Sequence, residues 1–396
     1  MYIKVYSTFL WIGACLNMNK TRCRVCLITS QEVLTRYHKI ANSLGIHGYN
    51  VTIYNWDKTG CKSKFEKKDH YDIVNISIIT RSKKNWIIAF YYPIWWVILF
   101  FYLLRDDRSE IFQSENVYNF IPLLAIKIFR RKKIIFDVAD QLAFSFKWSK
   151  LTFKILDAFE KICMIISDGV IIVDESRLHE IIFCNKKIDH AIIMNCTEET
   201  IFNDPKKFCN DRLTLYFGGL LMQTRGIVNI CNAMQNCPDV QLIIAGSGPM
   251  TDYVIAQSKE HPNIQYLGVL SYENSLEVTH KSDCIIALYD PDVPLNRVAS
   301  PNKVFDALMC GTPIIANNEA LPISCLIVQE KCGFLVDYNN VDQLSDAIST
   351  IEKDHDQLIP MSKRCRLAFV NKYNWKIMEG RLWEYYEQFN NKNKAS

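Results

Sequence analysis

The chain carries little net charge. Its 46 Lys and Arg against 42 Asp and Glu leave a formal +4 over 396 residues. No RNA- or DNA-binding module signature occurs, so nucleic acid is not an expected partner. Zinc spacing is lacking too: Cys23 and Cys26 form a CxxC inside a strand-like run, with no second pair at metal distance. The fifteen cysteines are odd in number, scattered and mostly set in apolar runs, as at Cys163, Cys184 and Cys284. That is how reduced, buried thiols of a cytosolic protein look, and it argues against a disulfide framework. No DxD at a strand end is assigned to a metal, and no cofactor is expected.

What is present suffices for two cores. Hydrophobic residues make up 49% of the chain and charged ones 22%, and the length suggests two domains of about 200 residues each. The apolar stretch Val5 to Cys15 could pass for a poor signal peptide. The more economical reading of 1–22 is a non-native extension, because the first strand begins near Cys23 and Met18 would serve as a start. From Cys23 onward, strands near 23–29, 50–56, 72–79, 111–114, 133–138, 169–173 and 191–194 alternate with helices near 32–44, 117–129, 149–166 and 175–183. A basic loop with Lys58, Lys62, Lys64, Lys67 and Lys68 interrupts them. Polar Thr197 to Asp211 reads as a linker, dividing the chain into 23–200 and 201–396. The second part restarts the alternation with strands near 213–217, 240–245, 264–267, 284–288 and 313–316. The expected class is α/β: two Rossmann-like, doubly wound domains with the ligand cleft between them, at the carboxyl ends of the strands.

Trp86 to Leu104 is the most hydrophobic run and approaches the length of a membrane span. Pro93 sits within it and the strand–helix alternation resumes at once after it, which speaks against a transmembrane helix. A helix buried on the sheet is one alternative. The favoured reading is an interfacial helix, lying in one leaflet with Lys83, Lys84 and Arg105 beside it. Arg130-Arg131-Lys132-Lys133 adds charge suited to an anionic surface, or forms an ordinary solvated turn.

Asn296 to Ala316, NRVASPNKVFDALMCGTPIIA, is where the chemistry is expected. Ser300 suits an N-cap and Pro301 the first helical position. Val304, Phe305, Leu308 and Met309 give an apolar stripe, and Gly311-Thr312-Pro313 stops the helix before a buried strand. The free N–H groups and dipole of such a helix can dock a diphosphate. Asn302 and Asp306, four apart, share a face beside Lys303.

These features, with others in order along the chain, resemble the GT-B retaining glycosyltransferases of family 4 (glycosyl transferases group 1). LYFGGLLMQTRGIVNICNAM (215–234) resembles the family's glycine loop with its basic residue. LIIAGSGP (242–249) resembles its second glycine turn, and SPNKVFDALMCGTPIIA (300–316) its donor-binding helix. CGFLVDYNNVDQLSDAI (332–348) and YNW (373–375) match its tail, whose last helix, about 376–390, can pack back on the first domain. In the first half, ENVYNFIPLLAIKIFRRKKIIFDVAD (115–140) has the family's layout with fewer diagnostic residues.

The resemblance implies a nucleotide-diphosphate sugar as donor, most commonly a uridine one, with Arg225 on the diphosphate and Gly226 allowing close approach. Gly218, Gly219, Gly246 and Gly248 would line the donor cleft, with Ser300 and Asn302 at the helix mouth. Asp306 stands where the family has a ribose-binding glutamate. There are departures: Val298, eight positions earlier, replaces the first acid of the family's glutamate pair, and Lys303 with Asn302 would take over its work. Gln113, Ser114 and Glu115 stand where many members have a histidine. Glu115 and Asp140 are candidates for contacting donor sugar or acceptor hydroxyl. The implied activity is metal-independent transfer with retention to a saccharide or lipid-linked acceptor in surface polysaccharide assembly. The protein would be cytoplasmic and peripheral on the inner face of the membrane, touching it through 86–104. A degenerate sugar-nucleotide-binding subunit and a nucleotide-sugar 2-epimerase are the alternatives.

Overall fold

A computed structural model describes residues 23–392 apart from 31–32, 34, 81–84, 146–147, 179–187, 203, 205 and 207–211. The extension 1–22, the lysines at 83 and 84, and most of the helix expected at 175–183 lie outside the described residues.

The first half runs β1 (Arg24–Thr29), α1 (Thr35–Ile46), β2 (Asn50–Asp57), β3 (Phe65–Lys67), β4 (Tyr71–Ser77), α2 (Asn85–Ala89), α3 (Tyr92–Arg105), β5 (Ser109–Glu115), α4 (Phe120–Arg130), β6 (Lys133–Val138), α5 (Leu142–Ser145), α6 (Lys150–Ile166), β7 (Gly169–Ile172) and β8 (His190–Ile192). Their sheet has the order β3-β4-β2-β1-β5-β6-β7-β8, parallel throughout except for β3. β3 corrects the basic loop read from the sequence: Lys67 ends a three-residue antiparallel edge strand that the other lysines flank, too short and too charged to show a strand pattern.

The second half runs β9 (Thr214–Leu220), α7 (Ile227–Gln235), β10 (Gln241–Ser247), α8 (Thr251–Glu260), β11 (Ile264–Tyr266), α9 (Tyr272–Lys281), β12 (Cys284–Ala287), α10 (Pro294–Arg297), α11 (Asn302–Cys310), β13 (Ile314–Asn317), α12 (Leu321–Glu330), β14 (Gly333–Val336), α13 (Val341–Lys353), α14 (Leu358–Asn371) and α15 (Trp375–Lys392). Its sheet order is β11-β10-β9-β12-β13-β14, all parallel. Two doubly wound sheets in one chain are the GT-B architecture.

The strands are buried on both faces, so they read as continuous Val, Ile and Leu runs. One core joins the halves: Leu27, Ile40 and Ile171 belong to the same apolar cluster as Leu308, Phe369 and Tyr386. The connection is α15, which starts beside the second domain and packs on α1 and β8. Trp375 donates its indole N–H to Ser43 at 3.0 Å and Tyr49 donates to Glu387 at 2.7 Å, tying that helix to the first domain at both ends. A second core face, under α3, α4 and α6, holds Trp95, Leu99, Phe120, Leu123 and Cys163 against Phe112 and Phe136.

The hydrophobic run is broken at Phe90–Tyr91, ahead of Pro93, because proline suits only the first turn of the helix that follows. Ile87–Arg105 is long and apolar enough to cross a membrane by length and composition. In this fold it makes the crossover from β4 to β5. Trp95, Leu99 and Leu103 face the sheet, while Ile94, Val97 and Phe101 are exposed. The helix thus packs on the sheet through one face, as the buried-helix alternative has it, and leaves its other face exposed.

Candidate active site

The residues that the sequence assigns to a donor gather at the carboxyl edge of β9. Gly219 and Gly246 are register partners on β9 and β10, both with positive φ. A Cβ on Gly246 would stand 1.8 Å from the Gly219 carbonyl oxygen, so glycine is required for the two strand ends to meet. Next to them, the Lys303 ammonium lies 4.1 Å above the buried Phe217 ring and 3.7 Å from where a Gly219 Cβ would be. Burial first, and the charge of Arg225 second, bring Lys303 down to about 7. The two cations therefore share one region of low dielectric and repel each other, an arrangement that an anion between them would relieve.

Arg225 is held by two neighbours, Tyr289 and Asn296, whose role the sequence does not announce. Its guanidinium lies 4.4 Å from the Tyr289 ring centre, and one N–H donates to Asn296 Oδ1 at 3.1 Å. Asn296 is itself fixed by donating to the carbonyl of Asp290 at 3.0 Å. Among the described residues no other acceptor takes the remaining guanidinium N–H groups, which leaves them to a phosphate fork. Gly226 follows with φ +70°, and a Cβ there would meet Leu288 at 2.7 Å. Asp290-Pro291-Asp292 spells a DxD, but Asp290 accepts the Asp292 N–H at 2.9 Å in a local turn. Among the described residues no group of three metal-ligating side chains occurs.

The helix mouth differs from its sequence reading. α11 begins at Asn302, with Pro301 as its cap residue in extended conformation and no side-chain cap bond. Ser300 is therefore not the N-cap: it lines a 460 Å³ cavity with Pro301, Phe305, Asp174 and Tyr373, away from the two cations. The Val304 N–H turns back to the Pro301 carbonyl at 3.1 Å, and no side-chain cap takes the N–H groups of Asn302 and Lys303. Asn302 is exposed, whereas Asp306 is 9% accessible. Asp306 accepts the Tyr272 hydroxyl at 2.9 Å, and Tyr272 is also 2.6 Å from the Thr197 hydroxyl. Burial lifts Asp306 to about 6, restrained by those two donors and by Lys39. Gly218 follows Phe217 on β9, and Gly248 brings its backbone against Leu221.

Across the cleft, Glu115 ends β5. Burial raises it to about 7; the Thr29 hydroxyl donates to it and restrains the shift, while Asp137 and Asp140 add to it. Asp140 is exposed and its backbone N–H bonds Asn116 Oδ1 at 3.1 Å. Arg177 joins the halves here, donating to the carbonyls of Ala139 at 2.8 Å and Val298 at 3.2 Å. The structure thus brings Arg225, Lys303, Gly219 and Gly246 together, sets Glu115 and Asp140 on the first domain, and turns Asp306 toward Thr197.

Residues 197–367 match the family described as glycosyl transferases group 1. This second half is a glycosyl transferases group 1 domain. A curated relative, the Escherichia coli UDP-Gal:alpha-D-GlcNAc-diphosphoundecaprenol alpha-1,3-galactosyltransferase, is 27% identical over 138 residues, 35% of this chain and 34% of that protein. The chain thus matches little more than a third of the length of its curated relatives. Among solved structures, sucrose-phosphate synthase from Thermosynechococcus elongatus superposes with a TM-score of 0.72 at 15% identity, covering 95% of this chain and 100% of that one. Anabaena HepE in complex with UDP-glucose superposes with a TM-score of 0.64 at 11% identity, covering 92% and 99%. These likenesses carry the GT-B fold across both halves and the group 1 domain through the second.

Proposed function

We propose that the protein is a retaining, metal-independent glycosyltransferase that moves a sugar from a uridine-diphosphate sugar to a lipid-linked saccharide. The observation that carries this reading is the pairing of Arg225 and Lys303 beside Gly219 in a group 1 domain. Two cations and uncapped helix N–H groups converge where a diphosphate would leave, and such donors stabilise the charge that develops as the glycosidic bond breaks. In the step, the acceptor oxygen bonds to the anomeric carbon while the bond to the diphosphate oxygen breaks. The electron pair stays on the diphosphate, and the acceptor proton passes to that departing oxygen on the same face. No side-chain base is required. Asp306, which Tyr272 and Thr197 orient, is the carboxylate placed to hold the ribose diol.

HepE, solved in complex with UDP-glucose, and the UDP-Gal-dependent relative support a uridine donor. The relative's diphosphoundecaprenol acceptor supports a lipid-linked one. A membrane-facing surface supports it as well. Beyond Ile94, Val97 and Phe101 of α3, exposed apolar side chains continue through Ile128 and Phe129 of α4 and Leu151, Ile155 and Ile162 of α6. All three helices cover the same face of the first sheet. So wide an apolar surface marks an interaction site, and exposed Arg130 and Arg131 with half-buried Lys132 at one end suit anionic lipid. The protein is then peripheral, on the cytoplasmic side of the membrane, where sugar nucleotides are available.

A thermal-shift screen of the whole chain against nucleotide-diphosphate sugars, followed by product analysis, tests the reading. A uridine-diphosphate sugar should stabilise the protein by mass action and give a product with the donor's anomeric configuration. Stabilisation by none of the sugar nucleotides would remove it. Binding without turnover for every acceptor tried would leave a degenerate binding subunit, the reading favoured by Val298 at the first acid's position.

A further inference from the structure

Behind Arg225, hydrogen bonds close into a ring that runs across the carboxyl ends of three neighbouring strands. Asn317 is the last residue of β13 and is fully buried. Its carboxamide bonds both backbone groups of Tyr289, two residues past the end of β12. Oδ1 accepts the Tyr289 N–H at 2.8 Å, and Nδ2 donates to the Tyr289 carbonyl at 3.1 Å. Nδ2 also donates to Glu319 at 2.8 Å. Glu319 in turn accepts the backbone N–H of Tyr338, just past β14, at 3.2 Å. The Tyr338 hydroxyl donates to the Gln223 carbonyl at 3.2 Å, in the turn that bears Arg225. The ring closes where the Arg225 guanidinium lies over Tyr289.

Each link has a physical reason. β12 and β13 pair in register only as far as Ala287 and Ala316. Past that point the Tyr289 backbone has left the ladder, and one carboxamide, with a donor and an acceptor side by side, takes the place of the missing strand neighbour. A carboxylate of the same shape would accept from the N–H and offer nothing to the carbonyl. Tyr289 and Asp290 are adjacent, so what pins one pins the other. Asp290 donates its N–H to the Thr224 carbonyl at 3.0 Å and its carbonyl accepts from Asn296 at 3.0 Å. Both groups that hold the guanidinium, the Tyr289 ring and Asn296, therefore hang on the short segment that Asn317 fastens. Tyr338 secures the other end of the turn, and Asn229 of α7 donates to the Tyr338 carbonyl at 2.6 Å.

We propose that Asn317, Glu319 and Tyr338 are positioning residues for Arg225. Their ring sets the guanidinium at the diphosphate site before a donor arrives, and none of the three touches the donor. An arginine left to itself spreads over many rotamers, and fixing it in advance removes that ordering from the binding step. The proposal rests on the glycosyl-transfer reading for its catalytic meaning, and it adds what holds the phosphate-binding cation in place.

Two measurements on the full chain test it. One is calorimetry with UDP. The other is NMR of nitrogen-15-labelled arginine, in which the Arg225 guanidinium is the signal lost in Arg225→Lys. In the wild type that signal should show hindered rotation. Asn317→Ala should speed the rotation and weaken UDP binding, each by about tenfold. Tyr338→Phe, which deletes a single hydroxyl, should weaken UDP by about two- to threefold. In the Arg225→Ala background, Asn317→Ala should weaken UDP by less than roughly twofold more, whereas the full loss should remain in the Lys303→Ala background. An equal loss with and without Arg225 would overturn the proposal, since Asn317 would then support only the fold. Unchanged rotation and UDP binding in folded Asn317→Ala would overturn it as well. Should Asn317→Ala not fold, Glu319→Ala carries the same test, because Glu319 is half-buried and its removal opens the ring. Rotation and UDP affinity that both stay at wild-type values in Glu319→Ala would again overturn it. If UDP fails to bind the wild type while Asn317→Ala still frees the guanidinium, the donor reading fails and the positioning role stands.

Discussion

The Lys303 ammonium stands 3.7 Å from the point where a Gly219 Cβ would be, so the cation and the glycine form one wall of the proposed donor site. A Cβ at Gly219 would make only ordinary contact with the ammonium, so it is the φ of +130° that calls for glycine there, while Phe217 beneath the ammonium keeps water from one side.

Lys303 should couple donor binding to protons. Its free-state value of about 7 means that it is charged below that pH and neutral above it. A diphosphate needs the charged form, so binding above neutrality must include uptake of one proton. The affinity for UDP should fall by up to about tenfold per pH unit above 7. Lys303→Met should bind weakly at every pH and lose this slope. Calorimetry in two buffers of different ionisation enthalpy between pH 6 and 8.5 would count the proton.

Arg225→Ala and Lys303→Ala should each lower kcat by roughly 10²–10³-fold, the usual cost of removing one preorganised donor to a developing anion. Asn296→Ala should cost less, because Asn296 only orients the guanidinium through a 3.1 Å bond. Steady-state kinetics at saturating donor, with circular dichroism to confirm folding, would rank the three. A larger loss for Asn296→Ala than for Arg225→Ala would contradict this ordering.

Gly246→Ala should destabilise the second domain by roughly 2–6 kcal/mol, since it adds a backbone clash to a strained φ. Its Cβ would overlap the Gly219 carbonyl at 1.8 Å, with φ at +134°. Gly268→Ala has open space around it and carries only the cost of its positive φ, so it is the matched control. Urea denaturation of the two variants should separate them clearly.

Glu115 should make stability fall as pH rises. Its folded value of about 7 lies above the ordinary carboxyl value of 4.5. Between these two, the folded state binds more protons than the unfolded one, and stability is lost through that window. Glu115→Gln should therefore gain stability relative to wild type as pH moves from 5 to 8, with no difference in trend above 8. Thermal melts across that range would show it.

Much of this fold was legible because parallel strands buried on both faces are written as apolar runs between amphipathic helices. β6 and the long helix α6 fall within a residue of their expected bounds for that reason. The group 1 segment was legible through its glycines, which backbone geometry demands at Gly246 and Gly226. Other parts are set by contacts distant in sequence. Ser300 looks like a cap locally, yet Pro301 takes that position and Ser300 faces a cavity. Asn296, Tyr289 and Arg177 act through partners up to 121 residues away and carry no local mark. The exposed stripe on α6 was hidden because an apolar helix gives no sign of which side meets the sheet.

The apolar face should hold the protein on membranes. Val97 and Ile155 are 58% and 60% accessible on α3 and α6. Replacing either with Glu should weaken partition onto anionic vesicles by roughly ten- to a hundredfold, the loss of one buried side chain. Vesicle flotation would read this, and a wild type that stays wholly in the soluble fraction would dismiss the membrane assignment.

The central claim is that a nucleotide diphosphate is held between Arg225 and Lys303. A crystal structure of the whole chain with a non-hydrolysable uridine-diphosphate sugar tests it most directly. Diphosphate oxygens within hydrogen-bond distance of the Arg225 guanidinium and the Lys303 ammonium, with the uridine along the Gly246 turn, are the predicted result. A nucleotide seated in the cavity of Ser300 and Tyr373, with both cations empty, would contradict it.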